Sequence, residues 1–124
     1  MNSVKKILLL IFFLVSCENQ LNNRNYFLCD HAEFNITHTL IVDTEKKEFL
    51  LGDNLINEDY SESEVVIEAT KFCCSENKPF KDVFKFDKLG GTLKVFKYSK
   101  TNSDRYKYGY TDTYKCTKTE PLID

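Results

Sequence analysis

The sequence contains no tryptophan, and only two prolines and four glycines interrupt its 124 residues. Its longest apolar run, Ile7 to Val15, is nine residues long. As a helix this run would measure about 14 Å, less than half of a hydrocarbon core of roughly 30 Å, which excludes a stable membrane span there. The chain also lacks a phosphate-binding loop, a G-x-S-x-G elbow and a Ser–His–Asp pattern. We therefore expect a protein that is not an enzyme and needs no cofactor.

What the N-terminus does contain is typical of a secretory signal peptide. Lys5 and Lys6 precede the apolar run, which ends in Leu14-Val15-Ser16-Cys17. These last four residues resemble the lipobox of bacterial lipoproteins. The resemblance covers residues 1–17 and implies that the Cys17 thiol receives a diacylglycerol and that a peptidase cuts before Cys17. A plain signal peptide with a chance cysteine, or a buried N-terminal helix, are the alternatives.

This interpretation predicts how the chain is divided and where in the cell the protein is located. Residues 1–16 are the predicted signal peptide, 17–25 a lipid-anchored tether and 26–124 a single β-rich domain. Two or three acyl chains on Cys17 would anchor the protein stably to membrane lipid in the cell envelope. Glu18 stands where an aspartate often marks inner-membrane retention in lipoproteins. The resemblance therefore favours the outer membrane, facing the periplasm, in a host that has two membranes.

The remaining cysteines suggest disulfides. With Cys17 reserved for lipid, Cys29, Cys73, Cys74 and Cys116 form an even set suited to an oxidising compartment. Cys29–Cys116 is the favoured pair, because it closes a loop of nearly the whole domain, worth about 4 kcal/mol in the chain-entropy model. A bond between the adjacent Cys73 and Cys74 is strained relative to ordinary disulfide geometry. Pairings of each with a different end cysteine stay open.

The hydrophobic pattern predicts strands and no helix. "FNITHTLIVD" alternates, with Phe34, Ile36, His38, Leu40 and Val42 on one face. "EFLL", "EVVIEATKFC" and "RYKYGYTDTYKC" are further strand candidates, and "DVFKFD-KLGG-TLKVFKY" is the plainest hairpin. Residues 52–63 are predicted to be a polar loop. We expect an all-β fold, a small antiparallel meander, barrel or sandwich of about six strands.

Charge is distributed unevenly along the predicted mature chain, which carries 15 basic and 19 acidic side chains. Residues 18–77 have a net charge of −9, whereas residues 78–107 have a net charge of +6. The two regions either attract each other across the fold or form two faces of opposite sign.

The basic region is interleaved with aromatic residues and is the candidate binding face. Its proposed members are Lys85, Lys94, Lys97, Tyr98, Arg105, Tyr106 and Lys107. Tyr106, Tyr108 and Tyr110 are predicted to share one side of their strand. In an exported protein the anionic partners would be lipid headgroups or cell-wall polymers and no nucleic acid. The alternative is an amphipathic hairpin with its aromatics in the core and its lysines outside.

No metal site is predicted. His31 and His38 lie near Asp30 and Glu33, but the adjacent pair Cys73-Cys74 lacks the spacer of zinc motifs. The histidines are therefore expected to face solvent. A Cys–His nucleophilic pair would need a reduced thiolate, which an oxidised, exported chain disfavours.

The leading hypothesis is a lipid-anchored, non-enzymatic envelope protein that acts as a small binding or structural module, with an anionic envelope component or a protein as its partner. The alternative resembles the membrane-bound lysozyme inhibitors in plan, because acidic residues 43–64 would steer a basic lysozyme. That family's Ser-Gly-x-x-Tyr loop is missing, since Ser103-Asp104-Arg105-Tyr106 lacks the glycine and the spacing. An envelope enzyme is the third possibility.

Overall fold

The computed structural model describes residues 24–120, which form nine β-strands and no helix within that range. The strands are β1 (Arg24–His31), β2 (Thr37–Asp43), β3 (Glu48–Leu51), β4 (Asn54–Ile56), β5 (Glu58–Glu62), β6 (Val66–Cys73), β7 (Phe80–Asp87), β8 (Thr92–Lys100) and β9 (Tyr106–Thr119). The all-β prediction is confirmed, with nine strands where the sequence suggested about six.

All nine strands belong to one antiparallel sheet in the order β4-β3-β2-β1-β9-β8-β7-β6-β5. Every neighbour is also a sequence neighbour, except that β1 pairs with β9. The two edge strands, β4 and β5, are separated in the chain by Asn57 alone. The open sheet must therefore curl until its edges approach each other. Across this seam β4 contacts β6, and Lys71 Nζ donates to Asn54 Oδ1 at 3.0 Å.

Strand alternation places the core on the inner side of the curl, because successive side chains point to opposite faces. Both halves of the sheet contribute buried side chains: Cys29, Leu40, Val42, Phe49 and Ile56 from β1–β4, and Ile67, Ala69, Phe84, Phe86, Leu93, Val95, Tyr114 and Cys116 from β6–β9. Burying each large apolar side chain contributes about 1.5–3 kcal/mol. The inner face holds the fold together and leaves the outer face free of that role.

The β1–β9 pairing joins the two halves. Cys29 lies directly opposite Cys116 in the register and is bonded to it, across a sequence separation of 87. The structure thus places the two end cysteines at disulfide distance, the pairing that loop closure favoured. Cys73 and Cys74 are bonded to each other at the end of β6, and not to the end cysteines as the open alternatives had it.

The predicted loop over residues 52–63 is wrong, because β4 and β5 lie there. Ile56 is fully buried opposite Phe49, which gives the three-residue strand β4 a place in the core. In β5 the register shifts between Glu58 and Ser61, and Tyr60 packs beside Phe49 with ring centroids 6.2 Å apart. The polar composition of this segment concealed two inward-facing side chains.

The predicted start of the strand "FNITHTLIVD", which forms β2, is also wrong, since Phe34 and Ile36 precede the strand and are 59% and 45% exposed. His31 explains the bend. Its ring Nδ1 accepts hydrogen bonds from the backbone N–H groups of Glu33 and Phe34. The backbone N–H of His31 donates to the carbonyl of Ile36. These bonds satisfy the backbone of the bend and delay β2 until Thr37.

A bulge corrects the predicted tyrosine row. The register shifts between Lys97, which pairs with Tyr110, and Tyr98, which pairs with Tyr108. Gly109 is the extra residue, so Tyr110 and Tyr108 lie on opposite sides of the sheet. At the other end of the domain, β1 begins at Arg24, two residues before the predicted domain start. The predicted signal peptide and Cys17 lie outside the described residues.

Candidate binding face

The outer side of β6–β9 carries lysines and aromatic rings together. We call this surface the basic–aromatic face; its residues are Phe72, Lys81, Lys85, Lys94, Phe96, Tyr98, Lys100, Tyr106 and Tyr108. Their register pairs, such as Phe72 with Lys81 and Lys81 with Tyr98, continue from strand to strand across the sheet. Alternation that buries Phe84, Phe86, Leu93 and Val95 on the inner side sends these residues outward.

Cation–π contacts order the lysines of this face. Lys81 Nζ lies 4.8 Å from the ring centroids of both Tyr98 and Tyr106. Lys85 Nζ lies 5.3 Å from the centroid of Phe96. At exposed sites such contacts contribute about 0.5–1 kcal/mol each. They hold the ammonium groups in place without neutralising their charge, so the face stays positive.

Two of the lysines repel each other. Lys85 and Lys94 are directly opposite on β7 and β8, an arrangement that is destabilising for like charges. Glu68 Oε2 lies 4.0 Å from Lys85 Nζ and offsets part of this repulsion, whereas Lys94 has no ion-pair partner among residues 24–120. With Asp87, the two lysines line a shallow cavity of about 280 Å³. The paired lysines therefore form a site where an anion would relieve repulsion.

The structure brings together four of the seven predicted site residues. Lys85, Lys94, Tyr98 and Tyr106 lie on the basic–aromatic face. Lys97 does not: it neighbours Tyr98 in the strand, points inward and binds Asp82 at 2.9 Å. The inclusion of Lys97 was therefore wrong.

The other two predicted members lie off this face. Arg105 is exposed just before β9, and Lys107 follows the opposite side of the strand from Tyr106. Sequence reasoning missed Lys81 and Phe72, although Lys81 has the same alternation parity as Lys85 and could have been assigned by it. The alternative of an amphipathic hairpin fits Phe84 and Phe86, which are buried, but leaves the outward aromatic rings unexplained.

A second polar cluster, which the sequence did not reveal, lies inside the curl. His31 Nε2 is 2.9 Å from Asp112 Oδ1, and the His31 side chain is 5% exposed, so the expectation of a solvent-facing histidine is wrong here. Because Nδ1 accepts backbone hydrogen bonds, the proton lies on Nε2 and is donated to Asp112. Burial raises the pKa of the neighbouring Tyr114, and Asp112 raises it further.

This inner cluster lines a cavity of about 180 Å³ together with His38 and the Asp82–Lys97 pair. Its acids are matched with His31 and Lys97, which makes it a paired network within the core. Residues 24–120 contain no group of three or more His, Cys, Asp or Glu side chains that could hold a metal ion.

The sequence left open whether the acidic and basic regions attract each other across the fold or form separate charged faces, and the structure shows some of each. Lys88 binds Glu62 and Lys85 approaches Glu68, so some basic residues meet the acidic region across the fold. Lys81 and Lys94 lack a carboxylate partner within the described range and leave a positive outer surface.

Comparison with known proteins found no matching family model, curated protein or solved structure. Within residues 24–120 the structure has no helix of the length and apolar character needed to cross a membrane.

Proposed function

We propose that this protein is a lipid-anchored, non-enzymatic module of the cell envelope whose basic–aromatic face binds an anionic membrane surface. The observation that carries the proposal is the outward pair Lys85 and Lys94, which lie opposite each other beside Phe96. The placement of one lysine directly opposite another does not favour folding, since like charges in this position are destabilising. A phosphate group between them would turn repulsion into charge-assisted hydrogen bonding.

Aromatic rings at the same surface support a membrane rather than a free anion as the partner. Tyrosine has an apolar body and a polar tip, a combination that suits the boundary between headgroups and hydrocarbon. Lysines near an anionic leaflet each contribute about 1 kcal/mol of attraction. A patch that combines several lysines with Tyr98, Tyr106 and Tyr108 therefore matches a surface that is anionic outside and apolar beneath.

The proposed anchor would hold this face near its partner. Arg24, where β1 begins, stands seven positions after Cys17, and even a fully extended chain over that distance reaches only about 25 Å. An acylated Cys17 would thus keep the domain within one domain diameter of the bilayer. Tethering raises the effective concentration of a weak binding face without any new contact.

Co-sedimentation of the full chain with vesicles tests the binding face. The combined variant Lys85→Ala/Lys94→Ala should weaken binding to phosphatidylglycerol-containing vesicles by about 30-fold, from about 1 kcal/mol per lysine. The matched control, Lys46→Ala/Lys47→Ala, removes the same charge from an exposed turn and should change affinity far less. Equal losses in the two variants would reject the face. Polyphosphate that binds more tightly than the vesicles would point to a cell-wall polymer instead.

Growth with labelled palmitate tests the anchor separately. The wild-type protein should incorporate the label, and Cys17→Ser should abolish incorporation because the serine offers no thiol to the lipid donor. Label retained by the serine variant would contradict the lipoprotein interpretation while leaving the binding face untouched.

An inhibitor of lysozyme is the second candidate, and the acidic edge of the sheet favours it. Asp53, Glu58, Asp59 and Glu64 are exposed around β4 and β5 without ion-pair partners among residues 24–120. Such a cluster would steer a basic protein at low salt. A pull-down of lysozyme at low ionic strength tests this hypothesis, and absence of binding under that condition would exclude it.

A further inference from the structure

A cavity of about 490 Å³ opens at the end of the sheet where β1 begins. Its walls are the apolar side chains of Phe27, Val42, Ile67 and Phe86, and the Phe27 and Phe86 rings meet edge to face at 4.9 Å. The volume lies within the range of small-molecule pockets, which are mostly apolar with a few polar groups at defined points. Exposed residues of the β7–β8 turn and of β9 form its mouth.

The β7–β8 turn shapes that mouth. Gly91 has φ +70°, and a Cβ there would lie 2.7 Å from the carbonyl oxygen of Cys116, so the turn can press against β9 only with glycine. The Cys116 N–H donates to the Gly91 carbonyl at 2.7 Å and fixes this contact. Leu89, whose N–H donates to Asp87 Oδ1, is left 80% exposed at the rim. A large apolar side chain held in water at a cavity mouth favours an apolar ligand.

The charges at the mouth define the other end of the ligand. Lys88 and Lys118 both line the cavity. Lys88 is bound to Glu62, whereas Lys118 has no acidic partner among the residues that the structure describes. An apolar interior with one unpaired cation at its rim is complementary to a molecule with an apolar body and a single anionic head.

We propose that this cavity binds one long-chain fatty acid, with its acyl chain among Phe27, Val42, Ile67 and Phe86 and its carboxylate at Lys118. The site lies at the end of the sheet where β1 begins, and neither Lys85 nor Lys94 lines it. Fatty-acid binding is thus a function additional to the binding of an anionic surface, and either can fail without the other.

Calorimetry with a series of carboxylates tests the proposal. The full chain carries Cys17→Ser, so that no anchor acyl group competes for the cavity, and is titrated with decanoate, dodecanoate and tetradecanoate below their micelle concentrations. Burying each added methylene should tighten binding by about fourfold until the cavity is full. Dodecanol should bind more weakly than dodecanoate because it has no charge for Lys118. Absence of saturable binding, or an affinity independent of chain length, would overturn the proposal.

Matched variants locate the site. Leu89→Asp places a carboxylate at the mouth that would repel the carboxylate of the ligand, and it should weaken dodecanoate binding by at least about tenfold. Lys118→Glu should weaken binding by about fivefold or more, as expected for the loss of a charge-assisted contact. Leu55→Asp and Lys107→Glu make the same exchanges at exposed positions outside the cavity and should leave the affinity unchanged. All four sites are exposed, so circular dichroism should confirm intact folds. Equal effects of the cavity and control variants would place binding elsewhere.

Discussion

One sheet presents two unlike outer faces. Over β1–β4 the middle of the outer side is mostly apolar: register pairs align Tyr26, Ile41, Leu50 and Leu55 strand by strand, with Leu28 beside them. The charged outward residues of this half, Arg24, Asp30, Asp43 and Glu48, lie around that apolar patch. Arg24, at the border of this aliphatic face, is paired with Asp43 at 3.4 Å. Over β6–β9 the same outward positions carry the lysines and rings of the basic–aromatic face.

The difference shows which features the fold requires. Both halves bury apolar side chains on the inner side and share one backbone architecture, so folding alone accounts for these buried apolar residues. Outward lysines are absent from the one half and concentrated in the other, which means that the sheet does not need them. The proposed binding of an anionic surface would account for their placement.

The largest effect is expected where the two halves meet. Replacing Cys29 and Cys116 by serine should lower the free energy of unfolding by about 4 to 5 kcal/mol, because the bond closes a loop of 87 residues in the unfolded chain. Urea denaturation of the full chain measures this. Cys73→Ser/Cys74→Ser is the control, since its bond closes almost no loop and should cost far less. A larger loss of unfolding free energy in the control would show that the disulfide between β1 and β9 is not the main covalent contribution to stability.

Two phenylalanines on neighbouring strands compare the inner and outer sides directly. Phe84 on β7 is 4% exposed in the core, whereas Phe96 on β8 is half-buried on the basic–aromatic face. Phe84→Ala should destabilise the protein by about 3 to 4 kcal/mol through lost burial and a cavity, and Phe96→Ala by about 1 kcal/mol. Thermal or urea unfolding of both variants is the measurement. Similar losses would mean that the outer ring is part of the core.

The smallest effect concerns the seam between β4 and β5. Tyr60 packs beside Phe49, its hydroxyl is buried without a hydrogen-bond partner among the described residues, and desolvation raises its pKa to about 12. Below pH 10 both folded and unfolded forms keep the proton; as the pH rises towards 12 the unfolded form ionises first and stability is lost.

Tyr60→Phe should therefore leave stability at pH 7 unchanged or slightly higher, and should reduce the loss between pH 10 and 12. Tyr114, whose pKa is also raised, retains part of that loss in the variant. Denaturation midpoints at pH 7, 10 and 11.5 check the expectation. An unchanged alkaline loss would exclude Tyr60 as a source.

Strong period-two patterns made much of this fold predictable. The segments around Phe84 and Val95 alternate over enough residues that their hairpin follows directly from the sequence. The strands β4 and β5 could not be predicted in this way, because strands of three and five residues with exposed acidic side chains give too short an alternating pattern. Gly109 reversed the side of Tyr110 through a bulge, which alternation alone does not reveal.

The site was predictable to the same extent. Lys85, Lys94, Tyr98 and Tyr106 share alternation parity within their strands and were found together. Lys97 has the opposite parity to Lys94 and Tyr98, so charge density alone assigns it to the wrong side; it faces inward and binds Asp82 across the hairpin. The His31–Asp112 contact joins residues 81 apart in sequence, so no local pattern could indicate it.

Because the chain has no tryptophan, single reporters can compare the two outer faces most directly. Tyr98→Trp places the reporter on the basic–aromatic face and Tyr26→Trp on the aliphatic face, both at half-buried outward positions. With phosphatidylglycerol vesicles that contain brominated lipid, the Tyr98→Trp protein should show a blue shift and quenching, and the Tyr26→Trp protein should show neither. Quenching of the Tyr26→Trp reporter alone, or of both equally, would contradict the assignment of the binding face.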